Sequence, residues 1–420
     1  MPIIRLARAW RARATAAAIL AGYFGLVWAR GGQRAWGRLG VWVLSPSFLD
    51  LRSVTTAWVC ARRGIAVLPA NPCDPLRRPA NYPTIWLLPS HLGLGPSSTV
   101  ALGILTAVLF FLAALAVLPQ GAGFGLGCIY GVALCSPAVM LGIDRGNVDL
   151  LVFGVVVVGV LALRWRPKIV APLLMLFAAV LKLFPIAASI VLLRSSDRRA
   201  RFAFVGVIVG FAVYALATLG TIREIAHVLP QTTIYSYGIK PFGAWARNVF
   251  GTYHVHLPNV AWDVLAIGMV ILAGLLAQTR VARRLSIEER DRSADFDFFV
   301  AGAAVYVATF LLIQSFDYRL VFLLLVVPQL FRWSQRTALG ALALVLVLFT
   351  LWLGPAWSGV PAVASILHGW HWLTSQRPFF SVDRGVDQPL AADVTAQLLL
   401  AAALIILLIA VAPRVRLSRQ

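Results

Sequence analysis

Four short stretches of this sequence put charged side chains where an otherwise apolar chain has little use for them. Asp50 stands in Ser47-Phe-Leu-Asp-Leu-Arg52, close behind the first strongly apolar run. Asp144-Arg-Gly-Asn-Val-Asp149 packs two carboxylates, a guanidinium and an amide between two further apolar runs. Gln314-Ser-Phe-Asp-Tyr-Arg319 adds Asp317, Tyr318 and Arg319, and Lys182 stands alone in Leu181-Lys-Leu-Phe-Pro185. A carboxylate can take a proton from an attacking hydroxyl, and guanidinium or ammonium groups can hold an oxyanion. Ionisable groups at membrane depth are costly and concentrate where a protein has chemistry to do. A plainer reading stands beside that one: Asp144 with Arg145, and Asp317 with Arg319, neutralise each other and lock helix ends.

The elements that must hold these groups are membrane helices. The 420 residues are 60% hydrophobic and 13% charged, with a mean hydropathy of +0.83, outside the range of soluble domains. The net charge of +21 is explained by arginines in short loops, which orient membrane spans. No basic stretch is separated from a span, so nucleic-acid binding is set aside. The start, with Arg5, Arg8 and Arg13 before an apolar run to Ala29, resembles a signal peptide but lacks a small-x-small cleavage site. It is expected to stay as an uncleaved first span, placing the chain in a bacterial plasma membrane.

Apolar runs fall at about 13–30, 98–118, 123–142, 148–164, 202–220, 259–279, 298–314, 339–355 and 391–412. Residues 169–193 lie between Arg164-Trp-Arg-Pro-Lys168 and Arg194-Ser-Ser-Asp-Arg-Arg-Ala-Arg201. Both flanks are basic and both should be cytoplasmic, which a single span forbids. A hairpin broken at Lys182-Leu-Phe-Pro185 satisfies both, because proline disfavours helix in the residue before it. A second short return helix is expected over 320–331. The expected fold is all-α, a bundle of about twelve transmembrane or re-entrant helices with both termini inside. More than half of the 37 Lys and Arg then fall in the cytoplasmic segments. No internal repeat is visible, and 1–420 reads as one domain.

The first outer loop, 31–97, is long. Behind Asp50 the spacing of Val54, Trp58, Ala61, Ile65 and Leu68 suggests an amphipathic helix lying on the membrane surface, or else a plain packed loop helix. Cys60 and Cys73 share this loop in an oxidising compartment and can pair; two free thiols are the alternative. Cys128 and Cys135 read as core, and no metal-ligand cluster is visible. Ten acids face the outer side or its border: Asp50, Asp74, Asp144, Asp149, Glu224, Asp263, Asp317, Asp383, Asp387 and Asp393. His254, His256, His368 and His371 fall in outer loops and read as surface residues, and Trp245, Trp357, Trp370 and Trp372 as interfacial ones.

Taken in order, Phe48-Leu-Asp50, Gly64, Asn81-Tyr-Pro83, Asp144-Arg-Gly-Asn-Val-Asp-Leu150, Leu181-Lys-Leu-Phe-Pro185 and Asp317-Tyr-Arg-Leu320 resemble glycosyltransferase family 87, membrane enzymes of GT-C type. The resemblance is strongest over 140–200. Asn71-Pro-Cys-Asp-Pro75 and Asp317-Tyr-Arg319 depart from the family's mannosyltransferases, which marks a divergent member. The resemblance implies a sugar donor, mannose foremost, carried on a polyprenyl phosphate, and a cell-envelope lipid or glycan acceptor on the outer face. It implies an inverting displacement with Asp50 as base and with Arg145, Lys182 and Arg319 on the donor phosphate. Asn147 and Asp149 would bind sugar hydroxyls or brace Arg145, with Asp144, Asp317 and Tyr318 in support and Asp317 a second candidate base. No cofactor is implied beyond the lipid-linked donor, and the partners are that donor, the acceptor and membrane lipids. The rival readings are a transporter or flippase of lipid-linked sugars, for which internal repeats would be expected, and a non-catalytic envelope-assembly subunit.

Overall fold

The computed structural model describes residues 2–41, 43–165, 168–194, 198–229, 236–243, 260–277, 293–312, 314–356 and 391–411. The four loop histidines, Trp245, Trp357, Trp370, Trp372, Asp383, Asp387 and most of the mixed-charge loop 278–297 lie outside them. The described residues are 78% helical. In order come α1 (Pro2–Ala29), α2 (Gln33–Arg38), α3 (Leu49–Arg62), a 3-10 helix Thr84–Leu92, α4 (Thr99–Val117), α5 (Phe124–Leu134), α6 (Pro137–Arg145), α7 (Asp149–Ala162) and α8 (Val170–Leu181). A 3-10 helix Phe184–Arg194, α9 (Arg198–Ala217) and α10 (Leu219–Val228) follow. The remaining helices are Val260–Leu276, Ala294–Leu312, the 3-10 helix Asp317–Leu325, Val327–Ser334, Ala338–Ala356 and Ala391–Val411. Among the described residues the only strands are the pairs 236–237 and 315–316, joined antiparallel with Tyr237 opposite Ser315.

This is an all-α membrane protein. Of the dozen helices expected, three among the described residues are long and apolar enough to cross a membrane alone: Trp10–Ala29, Pro96–Val117 and Ala294–Leu312. Two bent pairs bring the number to as many as five. One is a departure from the expected straight run over 123–142. Pro137 begins α6 and holds Ser136 in the extended region, so α5 and α6 meet at 51°. The bend swings the charged end of α6, with Asp144 and Arg145, beneath the first loop. α5 itself lies close against α1, because Gly127 and Gly131 face the buried Ala12 and Ala16. A Cβ on Gly127 would come within 2.7 Å of the Ala12 carbonyl oxygen, the close backbone approach that small residues permit between membrane helices.

The hairpin over 169–193 has the expected form. α8 ends at Leu181, Lys182 is extended (φ −151°, ψ 137°), and the 3-10 helix Phe184–Arg194 returns. Arg164, before the hairpin, and Arg194, after it, both bind the carboxylate of Asp297, so the two basic flanks share one end. Lys182 is therefore carried to the other. From Asp149 to Arg164 the chain advances about 22 Å at about 1.5 Å per residue, short of the ~30 Å hydrocarbon thickness of a bilayer. The short return over 320–331 is also present, as the 3-10 helix Asp317–Leu325 followed by Val327–Ser334. Leu320 to Val327 are essentially without exposure. Phe322 anchors this rod through rings of Phe153 and Phe184, at 5.7 and 5.5 Å.

In the first loop, α3 is a packed helix. Val54, Ala57, Trp58 and Cys60 are buried, and the helix stops at Arg62, so Ile65 and Leu68 are not part of its face. The surface-lying alternative is thereby replaced, since a helix buried by side chains of its own loop has no apolar stripe left for lipid. The structure pairs Cys60 with Cys73, with Cα atoms 5.8 Å apart. Asn71 reaches Thr56 (3.3 Å), and Arg78 bridges Asp74 (2.7 Å) and the carbonyl of Leu49 (2.9 Å) at the start of α3. Trp58 donates to the carbonyl of Trp86, whose indole donates to that of Leu181 (2.9 Å). Loop and hairpin tip are thus fastened together.

Candidate active site

Asp50 owes its position to a strained residue two places earlier. Phe48 is left-handed (φ 60°, ψ 41°), a conformation costly for a bulky side chain and kept only where the surroundings enforce it. Its N–H donates to the carbonyl of Asp144 (2.8 Å), and its ring lies so close to Gly103 of α4 that a Cβ there would come within 2.5 Å. On the far side is Gly146, at φ 58°, where a Cβ would meet that of Phe48 at 3.0 Å. Phe48 therefore clamps the start of α3 between α4 and the turn after α6. Asp50 follows in the first turn of α3.

That turn carries the partner of Asp50. Asn147 is fully buried; its amide donates to Asp50 Oδ2 (2.7 Å), and its Oδ1 accepts the N–H of Asp149 (3.0 Å). One side chain thus fixes the carboxylate on α3 and the first residue of α7. Asp149 has no exposure and sits at the α7 N-terminus, where the helix dipole favours an anion. Two cations converge on it: Lys182 Nζ lies 2.9 Å from Oδ1 and Arg319 Nε 3.3 Å from Oδ2. Arg319 also donates to Ser315 Oγ (3.1 Å). The cluster is polarised. Its Asp50 end is negative, and its Lys182–Arg319 end carries one positive charge beyond what Asp149 neutralises.

Aromatic rings surround the cations. Lys182 lies over the ring of Tyr82 at 4.9 Å and that of Tyr318 at 6.0 Å, and Arg319 over Phe184 at 5.0 Å. Burial, with the charges of Asp50, Tyr318 and Asp149, pushes the Tyr82 phenol well above its ordinary pKa and keeps it a donor. Tyr82 and Phe184 were not among the residues picked out by charge. Their signal was present in Asn81-Tyr-Pro83 and Leu181-Lys-Leu-Phe-Pro185, as ring types beside turn prolines.

Five of the expected residues are thus joined by direct contacts: Asp50, Asn147, Asp149, Lys182 and Arg319. Tyr318 adjoins them, stacked on Phe316 at 5.5 Å. Asn147 braces Asp50 and the α7 start, and Asp149 pairs with Lys182 and Arg319. Asp144 serves the first loop instead, accepting from the N–H of Leu44 (3.4 Å) and from Gln33 (3.5 Å). Arg145 is buried at the end of α6, and Asp317 is buried at the start of its 3-10 helix. Among the described residues no group of His, Cys, Asp and Glu is arranged to hold a metal ion.

The family model for glycosyltransferase family 87 matches residues 82–315. That stretch holds Tyr82, Asn147, Asp149 and Lys182, and leaves Asp50 and Arg319 just outside. No curated protein and no solved structure matches the chain. A match over more than half of the 420 residues, on a helical membrane chain, decides the family: this protein belongs to glycosyltransferase family 87 and is a membrane glycosyltransferase.

Proposed function

We propose that the protein transfers a hexose, mannose foremost, from a polyprenyl-phosphate donor to a cell-envelope lipid or glycan acceptor on the outer face of a bacterial plasma membrane. Both termini would be cytoplasmic and the fold of GT-C type. The observation that carries the reading is the polarised cluster, with Asp50 at one end and a buried cation pair sharing one carboxylate at the other.

The chemistry follows from the charges. The donor is a phosphodiester bearing one negative charge, matching the single excess positive charge at Lys182 and Arg319. The acceptor hydroxyl oxygen attacks the anomeric carbon while the bond from that carbon to the phosphate oxygen breaks. The hydroxyl proton passes to Asp50, and polyprenyl monophosphate departs with the bonding pair. Single displacement inverts the anomeric configuration. Negative charge on the phosphate grows along this path, so the cations hold the transition state more tightly than the bound donor. Arg145 is a third candidate cation for the phosphate. Asp144, Asp317 and Tyr318 act as supports, with Asp317 the reserve candidate for the base. No cofactor takes part.

The test is sugar transfer by the purified protein in detergent, with polyprenyl-phosphate mannose and related donors and a membrane-lipid extract as acceptor. Wild type is expected to form product, and Asp50→Asn to lose at least ~100-fold, the lower end of a general base's contribution. Equal activity of the two would remove Asp50 from the role. Product from no donor, with movement of a lipid-linked sugar across liposomes, would favour a transporter.

A further inference from the structure

Tyr82 brings a hydroxyl to the edge of the cluster. Its residue is 9% exposed, yet among the described residues no group hydrogen-bonds its hydroxyl. The hydroxyl oxygen is not sealed from the surroundings, so it is open to a ligand. Its ring lies against the Lys182 ammonium on one side and beside Trp86, at 6.4 Å, on another. It also lines a shallow recess, partly open to the surroundings, whose other walls include Val54, Ala57, Leu68, Leu87 and Thr221. That recess is apolar, between α3, the rest of the first loop and α10. Tyr82 therefore stands where a cationic site for phosphate adjoins an apolar recess.

We propose that Tyr82 is a substrate-binding residue, its hydroxyl donating to a phosphate oxygen of a lipid monophosphate ester whose first isoprenoid carbons occupy the apolar recess beside it. This rests on the lipid-phosphate donor reading above and adds to it a named donor and a place for the chain. The argument is one of matched chemistry. A prenyl phosphate is an anion joined directly to a hydrocarbon, and here a cation pair, a phenol donor and an apolar wall occur in that order. The raised phenol stays protonated and so can donate to an anion at any pH the protein meets. A purely structural Tyr82 would need only its ring.

Tyr82→Phe separates the two roles, because it keeps the ring on Lys182 and removes an atom that no protein group uses. Binding of farnesyl phosphate to the full-length protein in detergent is measured by calorimetry, with inorganic phosphate as comparator. Wild type is expected to bind farnesyl phosphate, and Tyr82→Phe to bind it about tenfold or more weakly, as for a lost hydrogen bond to a charged group, with an unchanged melting curve. Thr221→Phe, which narrows the recess from α10, is expected to weaken farnesyl phosphate and leave inorganic phosphate unaffected. Equal affinity of Tyr82→Phe and wild type would overturn the role of the hydroxyl. Unchanged farnesyl phosphate binding in Thr221→Phe would overturn the place assigned to the chain. Failure of wild type to bind any prenyl phosphate would sink the donor reading itself, an outcome distinct from either, and the proposal with it.

Discussion

Two charge clusters sit at opposite ends of α7, and they are built differently. At the C-terminal end of α7, the inner end in the topology proposed above, Asp297 holds Arg164 (2.8 Å) and Arg194 (3.0 Å), while Asp295 holds Arg332 (3.3 Å). At the other end Asp149 alone holds Lys182 and Arg319. The distances are alike, so distance does not tell the clusters apart. Access to water does in part: the inner side chains of Arg164 and Arg332 are 38% and 49% exposed and that of Arg194 16%, against 11% and 12% for Lys182 and Arg319. The inner cluster works as a clamp, closing the two ends of the hairpin and the entry to helix Ala294–Leu312. The outer cluster is drier, is ringed by Tyr82, Tyr318 and Phe184, and is tied through Asn147 to a second carboxylate. Two cations on one anion occur at both ends, but only at Asp149 are both cations this dry, which fits the donor-phosphate role proposed above.

The comparison breaks or sharpens under four substitutions. The largest effect is expected from Asp149→Asn, which leaves two buried cations without their carboxylate. It should destabilise the protein by about 3–5 kcal/mol, measured by denaturation in detergent. Asp297→Asn, where the guanidinium of Arg164 keeps access to water, should cost less, about 1–3 kcal/mol. Equal losses would mean that the two ends are both structural clamps. Next comes Gly146→Ala, which puts a Cβ against Phe48 in a left-handed conformation. About 1–2 kcal/mol is expected from the backbone alone, together with a fall in transfer activity greater than the stability loss explains, since the shifted turn carries Asn147 away from Asp50. Activity equal to wild type would argue that the Asp50–Asn147 bond is dispensable. The smallest effect is expected from Arg332→Gln: under about 1 kcal/mol in stability and no change in donor KM. A raised donor KM there would show that the inner cluster also serves the donor.

The fold was legible in the sequence wherever one strong rule acted alone. The hairpin at Lys182 followed from two basic flanks and a proline, and the structure closes both flanks on Asp297. The bend at Pro137 had the same kind of signal, but the apolar run around it is continuous, and hydropathy does not register direction. Of the two readings of the helix behind Asp50 the packed one holds, but the helix ends before its apolar spacing does, for a related reason. Apolar spacing continued through Ile65 and Leu68, while Gly64, left-handed at φ 67°, had already ended the helix region.

The site was legible as residue types and illegible as partners. Asp50, Asn147, Asp149, Lys182 and Arg319 stand out because charge and amide groups are scarce in a chain this apolar. Sequence placed Asp317 beside Arg319 and Asp144 beside Arg145; the structure instead brings Arg319 to Asp149 and Asp144 to Leu44 and Gln33. Sequence neighbours on a helix point in different directions, and which carboxylate a cation meets depends on which helices end at the same depth.

By itself, then, the sequence determined that this is a helical membrane protein, which family its motifs resemble, and where the hairpin must turn, because hydropathy, basic flanks and proline act locally. Tertiary structure decided that Asp50 is held by Asn147, that Lys182 and Arg319 share Asp149, and that Tyr82 joins them. Those contacts link residues 97, 33 and 170 positions apart, and only the packing of short helices under a cross-linked loop brings their ends together.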